Sequence, residues 1–170
     1  NLLWVFKESN QQNSTIFYHT PTLDYDNGKI YPNKQGNIST GCYSDSINFN
    51  DDIVFMSKRG LEGINGDIGS EQVLSHRSSL VDSRLINENN FDKCMLQEWN
   101  GYLLCLVNGK IYLADSRQKY QGLTGFEYEW YYWDNIGVID TVFKEAVIIK
   151  EYKGDLLFGA SNGSICIFSG

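Results

Sequence analysis

The chain repeats itself. Four apolar runs, Leu3-Trp4-Val5-Phe6, Ile53-Val54-Phe55-Met56, Leu103-Leu104-Cys105-Leu106 and Leu156-Leu157-Phe158-Gly159, begin 50, 50 and 53 residues apart. A fixed period of this length narrows the choice of folds sharply, because one supersecondary unit cannot bury its apolar face alone and must stack on its neighbours. The last three runs follow turn-prone dipeptides, Asp51-Asp52, Asn100-Gly101 and Gly154-Asp155, where a chain reverses cheaply. Two runs lead through Asn-Gly into a second strand, at Asn108-Gly109 and at Asn162-Gly163. Asn-Gly between apolar runs predicts a hairpin with a type I′ turn, which needs φ > 0 at both central residues. The Ile53 run meets a degenerate version, Arg59-Gly60 followed by Leu61-Glu62-Gly63-Ile64, and the first unit crosses polar residues 9–15 before Ile16-Phe17-Tyr18.

A further strand is expected before each of the two later hairpins, at 94–99 and 146–152, with 127–133 a fourth strand of the third unit. The fold class that follows is all-β, made of antiparallel meanders of about fifty residues. Short strands at this rhythm are the signature of β-propeller blades, so residues 1–170 are read as one propeller-like domain, or part of a larger propeller, with about three to four blades. Runs such as Tyr102 to Val107 are apolar on both faces, as a sheet stacked between two others requires. The polar stretch Gly69 to Asp92 is read as an excursion between strands on the rim, with a helical turn at Leu80 to Ile86. The C-terminal unit, Ala146 to Ser169, reads as three strands without a fourth. Leu2 to Phe6 is therefore expected to pair within a sheet, closing a ring or forming a first partial blade. The start at Asn1, immediately before an apolar run, suggests a fragment or a processed chain.

The net charge of −7 and pI near 4.7 argue against a phosphate-binding surface, so no direct nucleic-acid partner is expected. No stretch approaches the roughly 18 apolar residues of a membrane span, and no membrane partner is expected. The four cysteines, Cys42, Cys94, Cys105 and Cys166, lack metal or redox spacing and are expected as free thiols in a reducing compartment.

Motifs for chemistry are sparse. His19 and His76 stand in no metal-ligand spacing and are expected on surface or loop, and no GxSxG, P-loop or GxGxxG occurs, so no enzyme activity, cofactor or metal is expected. Asp24-Tyr25-Asp26-Asn27-Gly28 begins like a calcium loop, but Gln35 stands where the closing Glu belongs, which favours a polar turn. A hydrolase would need two converging carboxylates among Asp51, Asp52, Asp115, Glu127, Glu129 and Asp134. The most unusual segment is Phe126-Glu127-Tyr128-Glu129-Trp130-Tyr131-Tyr132-Trp133. In a strand, Phe126, Tyr128, Trp130 and Tyr132 share one face and Glu127, Glu129, Tyr131 and Trp133 the other. Tyr128, Trp130, Tyr131 and Trp133 are candidate binding residues, a platform for sugars or for a partner's apolar surface, with packing between sheets as the competing role. Arg59 and Arg117, each just beyond a strand, are candidate ligand clamps, with ion pairing as their competing role.

The strings DIVFMSKRGLEGI, GYLLCLVNGKIYLADSRQK and YEWYYWDNIG resemble the β-propeller regions of virion structural proteins from tailed bacteriophages and prophages, of the neck, nozzle or packaged-DNA stabilisation kind. The likeness spans about residues 48–170. It implies a non-enzymatic structural module that assembles with other protein subunits, as a homo-oligomeric ring or with virion components, located in the virion or in the bacterial cytoplasm during assembly. The alternative is a carbohydrate-binding, lectin-like propeller in which Trp130, Tyr131 and Trp133 grip sugar rings.

Overall fold

The computed structural model describes residues 3–8, 16–19, 22–24, 28–30, 33–35, 40–50, 52–65, 73–122 and 125–168. The strands are β1 (Leu3–Phe6), β2 (Ile16–His19), β3 (Thr22–Asp24), β4 (Gly28–Ile30), β5 (Asn33–Gln35), β6 (Ser46–Phe49), β7 (Asp52–Ser57), β8 (Gly60–Asn65) and β9 (Val73–His76). After a one-turn helix α1 (Asp82–Leu85) come β10 (Met95–Trp99), β11 (Tyr102–Val107), β12 (Lys110–Gly122), β13 (Gly125–Trp133), β14 (Gly137–Asp140), β15 (Val142–Tyr152), β16 (Asp155–Ala160) and β17 (Ile165–Ile167). The protein is all-β and antiparallel. Three four-stranded meanders, β6–β9, β10–β13 and β14–β17, follow one another with neighbours in sequence order, after a three-stranded sheet β1-β2-β5 and a small hairpin β3-β4.

Three turns have the backbone that a two-residue hairpin needs. Asn100-Gly101 (φ 51° and 81°), Asn108-Gly109 (49° and 66°) and Lys153-Gly154 (56° and 92°) have positive φ at both centres, which matches strand twist. The last is centred one residue before the expected Gly154-Asp155, and Asp155 opens β16. At Asn162-Gly163 the expected type I′ turn is not formed. Only Gly163 has positive φ (88°), its N–H donates to the Ala160 carbonyl (2.9 Å), and the Asn162 side chain accepts from Ser164 N–H (3.0 Å). This is a three-residue loop with Gly in the left-handed position.

The core lies between the sheets. On β7, Phe55 joins Ile16 and Ile64 under the first sheet, while Val54 and Met56 point the other way into the layer shared with β10–β13. The middle sheet is buried on both faces. Register places Leu96, Cys105, Tyr112 and Tyr132 in one row, and Leu103, Ala114 and Trp130 in the next; both rows face β6–β9. Leu104 with Leu113 and Leu106 with Ile111 face the last sheet, where Ala146, Ile149, Leu156 and Phe158 cover them. β15 packs chiefly on β10 and β11, whereas β6 meets β10 and β9 meets β13.

Two expectations are corrected by this arrangement. The polar stretch 69–92 contains strand β9, the fourth of its sheet, and its later part is packed. Leu85 and Phe91 are buried in the core, and Glu88 accepts from Lys110 Nζ (2.6 Å) and Tyr112 Oη (2.7 Å) of β12. The C-terminal unit has a fourth strand after all, β14, paired with the first residues of β15. Leu3–Phe6 pairs with β2. All four cysteines are free thiols, and burial pushes Cys42 up to about 11.

The tip of the β11–β12 hairpin docks on the next sheet. Gly109 N–H donates to the Ala146 carbonyl (3.0 Å), Ile136 N–H donates to the Gly109 carbonyl (2.7 Å), and a Cβ at Gly109 would stand 2.7 Å from the Ile136 oxygen. At Gly163 nothing lies within 4 Å. Gly163→Ala should therefore cost only the left-handed strain, about 1 kcal/mol, and Gly109→Ala that strain plus the clash, about 2–4 kcal/mol in all. Urea unfolding of both variants checks this; equal losses would contradict the docked hairpin tip.

Candidate functional site: an aromatic groove and a buried charged clasp

The aromatic strand β13 is divided by its two faces. Tyr128 is fully buried, its ring edge-on to Phe49 and Phe126, and Trp130 packs on the same core while its Nε1 donates to the Arg77 carbonyl (3.0 Å). These two candidates are structural. Tyr131 (43% exposed) and Trp133 (37%) lie on the opposite face, and with Trp99, Tyr102 and Leu113 they line a groove of about 280 Å³. Its cause is the offset of the last sheet: β15 covers β10 and β11 and leaves the β13 edge open. Trp99 is braced by its Nε1 donating to the Gly154 carbonyl (2.9 Å), and Trp133 leans on Phe168, ring centroids 6.2 Å apart.

Arg117 contacts one wall of this groove, Tyr102. The register of β12 and β13 slips between Asp115 and Lys119, and Arg117 sits on that bulge, a device that re-aims side chains. Its Nε and Nη2 donate to both oxygens of Asp115 (2.9 and 2.8 Å). The guanidinium also stands over the Tyr102 ring, 4.7 Å from the centroid, and donates to the Tyr102 hydroxyl. The hydrogen bond from Arg117 holds the Asp115 carboxyl below its ordinary value, and that same bond raises Arg117. The arginine thus pairs within its own strand and steadies one wall of the groove.

Arg59 is elsewhere. It lies in the β7–β8 turn, donates to Glu62 (2.9 Å), and borders a polar cavity of about 300 Å³ with Glu62, Leu74, His76 and Asp82. His76, expected on surface or loop, is a strand residue held between two carboxylates, Nε2 2.5 Å from Asp82 and Nδ1 3.3 Å from Glu62. The side chain of His19 lies outside the described residues. Ser78 links the ends of this network, donating to Asp82 (2.6 Å) and accepting from Leu61 N–H (2.8 Å).

Next to it lies a clasp that the sequence did not reveal. Arg77 is fully buried; its Nε and Nη2 donate to Asp52 (3.2 and 2.8 Å), its Nη1 to the Phe126 carbonyl (2.5 Å), and its Cζ lies 3.6 Å from the Phe126 ring centroid. It thereby ties β7 to β13. Burial nevertheless outweighs Arg77 and raises the Asp52 carboxyl. Gly63 makes room, since a Cβ there would come within 2.7 Å of both partners.

The carboxylates considered for hydrolysis are mostly tied to structural partners, while Asp115 and Glu129 stand directly opposite each other across β12 and β13. Asp52 serves Arg77, Asp115 serves Arg117, Glu127 accepts from Ser79 N–H (3.1 Å) and hydroxyl, Glu129 is exposed, and Asp134 accepts from Asn135 N–H (2.7 Å); Asp51 lies outside the described residues. Of the calcium-like loop, Asp24 and Gly28 pair across the β3–β4 hairpin, and residues 25–27 lie outside the description. Among the described residues no group of three His, Cys, Asp or Glu could hold a metal ion. Nor is any described helix long and apolar enough to cross a membrane.

The hydrogen bond to Asp82, then that to Glu62, raises His76 from 6.5 to about 9 against the opposing effect of burial. A raised folded-state value means that the imidazolium contributes its full stabilisation below pH 6.5, loses it progressively as the unfolded chain deprotonates first, and contributes none above about pH 9. The melting temperature should fall across that window, and His76→Gln should flatten the fall. An unchanged slope in the variant would show that this network does not carry the effect.

No protein-family model, no curated protein and no solved structure matches the chain.

Proposed function

We propose that the chain is a β-propeller or partial-propeller segment serving as a non-enzymatic structural and interaction module of a tailed-phage or prophage particle. The observation that carries the reading is the stacking of successive four-stranded meanders face to face, each joined to the next by an apolar layer, a construction suited to bearing load and presenting surfaces. The internal pairing of Asp52, Asp115 and Glu127 supports a non-catalytic role, because a carboxylate tied to a structural partner is poorly placed to exchange protons with a substrate. The particle setting is supported by the likeness of the SKRGL and LADSRQK phrases to virion propeller regions. Its partners are then other protein subunits, met in the virion or in the bacterial cytoplasm during assembly. The test is to separate particles from free protein by sizing and electron microscopy after prophage induction. The protein should travel with particles or their subassemblies; a freely soluble product throughout assembly would overturn the reading.

One observation favours a second reading, sugar binding. The groove offers two Trp and two Tyr side chains around an apolar floor, Leu113, and flat rings with polar tips suit the alternating apolar faces and hydroxyl edges of pyranoses. Trp fluorescence titrated with a glycan panel should respond in the native protein and lose that response in Trp133→Ala. A flat signal with every sugar would remove this reading.

A further inference from the structure

Twice inside the chain a guanidinium is held by the same pair of groups. Arg77 donates through Nε and Nη2 to Asp52 while its Cζ lies 3.6 Å from the Phe126 ring centroid. Arg117 donates through Nε and Nη2 to Asp115 while its Cζ lies 4.7 Å from the Tyr102 ring centroid. In both, a carboxylate takes the fork of donors and an aromatic ring takes the charge, a combination that suits arginine better than lysine. A third carboxylate beside aromatic rings, Glu129, has no arginine.

Strand register puts Glu129 at the aromatic groove. Trp99, Tyr102, Asp115 and Glu129 stand in one row across β10–β13, and Leu113 and Tyr131 are opposite each other in the next row. Alternation sets Glu129, Tyr131 and Trp133 on one face of β13 at steps of about 7 Å. Glu129 is exposed, and no described residue makes an ion pair or hydrogen bond with its carboxylate. Arg117, the cation that meets this row, has its fork on Asp115. Among the described residues the row therefore keeps one unpaired negative charge. Elsewhere the chain supplies cations to its own rings, Lys58 to Tyr43, Arg84 to Tyr132 and Lys153 to Tyr152. None of the described residues does so for Trp99, Tyr131 or Trp133.

We propose that the groove receives an arginine side chain of a partner protein, its guanidinium paired with Glu129 and its charge lying against Tyr131 and Trp133. This rests on the reading of the chain as an interaction module and names the chemistry by which it holds a partner. Arginine can lay its aliphatic stem along an apolar floor such as Leu113 while its head keeps a fork of donors for the carboxylate. The walls are already fixed, Trp99 by the Gly154 carbonyl and Trp133 by Phe168, so binding orders few groups. The net charge of −7 favours approach of a basic partner.

Indole N–H signals in nuclear magnetic resonance test this, with a capped glycine-arginine-glycine peptide as the probe. The signals of Trp99 and Trp133 should shift saturably, while those of Trp4 and Trp130, packed in other layers, stay in place. The same peptide with citrulline for arginine keeps the shape without the charge and should give no shift; the lysine peptide should bind more weakly. Glu129→Gln should weaken binding about fivefold, and Trp133→Ala should abolish it, with unchanged circular dichroism confirming that both variants fold. Equal shifts with citrulline, undiminished binding by Glu129→Gln, or a groove that answers only to sugars would overturn the proposal. Free arginine should bind more weakly than the capped peptide, because its own carboxylate meets Glu129; the reverse order would rule out a protein as the source. A groove silent to arginine in a protein that still travels with particles would remove this contact and leave the assembly role intact. Arginine binding by a protein that never joins particles would uphold the contact and remove the particle role.

Discussion

The burial of the β10–β13 sheet on both faces is the constraint on which the remaining structure depends. From Leu103 to Val107 every side chain is withdrawn from water, as are those from Ile111 to Asp115, and each large apolar side chain so buried contributes about 1.5–3 kcal/mol. A sheet of this kind cannot exist alone. It requires β6–β9 against Leu103, Cys105 and Tyr112, and β14–β17 against Leu104, Leu106 and Ile111. The aromatic groove is a by-product of the same requirement: the last sheet sits over β10 and β11, and the uncovered remainder of the middle face exposes Tyr131 and Trp133.

Arg77 adds registration to that apolar stacking. Its partners come from β7 and β13, so one side chain fixes the relative position of two sheets whose apolar faces would slide with little penalty. Such a buried pair is not a simple gain in stability. Desolvation holds Asp52 above its ordinary value despite the guanidinium beside it, and replacing buried ion pairs by apolar groups is often neutral or favourable. Its contribution is better understood as specificity, with the Phe126 ring and carbonyl supplying the remaining contacts.

Much of the fold was legible because hairpins write themselves locally. Asn100-Gly101 and Asn108-Gly109 stand between apolar runs, and both form the turns their backbone preferences demand. Asn162-Gly163 departs because the Asn162 side chain bonds Ser164 N–H instead of entering the left-handed region. Strands β9 and β14 were hidden. Val73–His76 is four residues inside a polar stretch, and Gly137–Asp140 is a short edge strand whose partner, β15, begins two residues later; neither has room for a periodic signal. The groove was half visible: Tyr131 and Trp133 stood out in the aromatic run, but Trp99, Tyr102 and Leu113 join them only through the register of four strands. The Arg77–Asp52 pair, 25 residues apart, gave no local sign at all.

If the doubly buried middle sheet organises the molecule, its amides should open only with the whole chain. Native-state hydrogen exchange measures this strand by strand. The account predicts the slowest exchange at 103–107 and 111–115, with rates that track global unfolding, and faster exchange at 3–6 and 165–167 on the outermost strands. Protection in either outer strand that equals or exceeds that of β11 and β12 would contradict it.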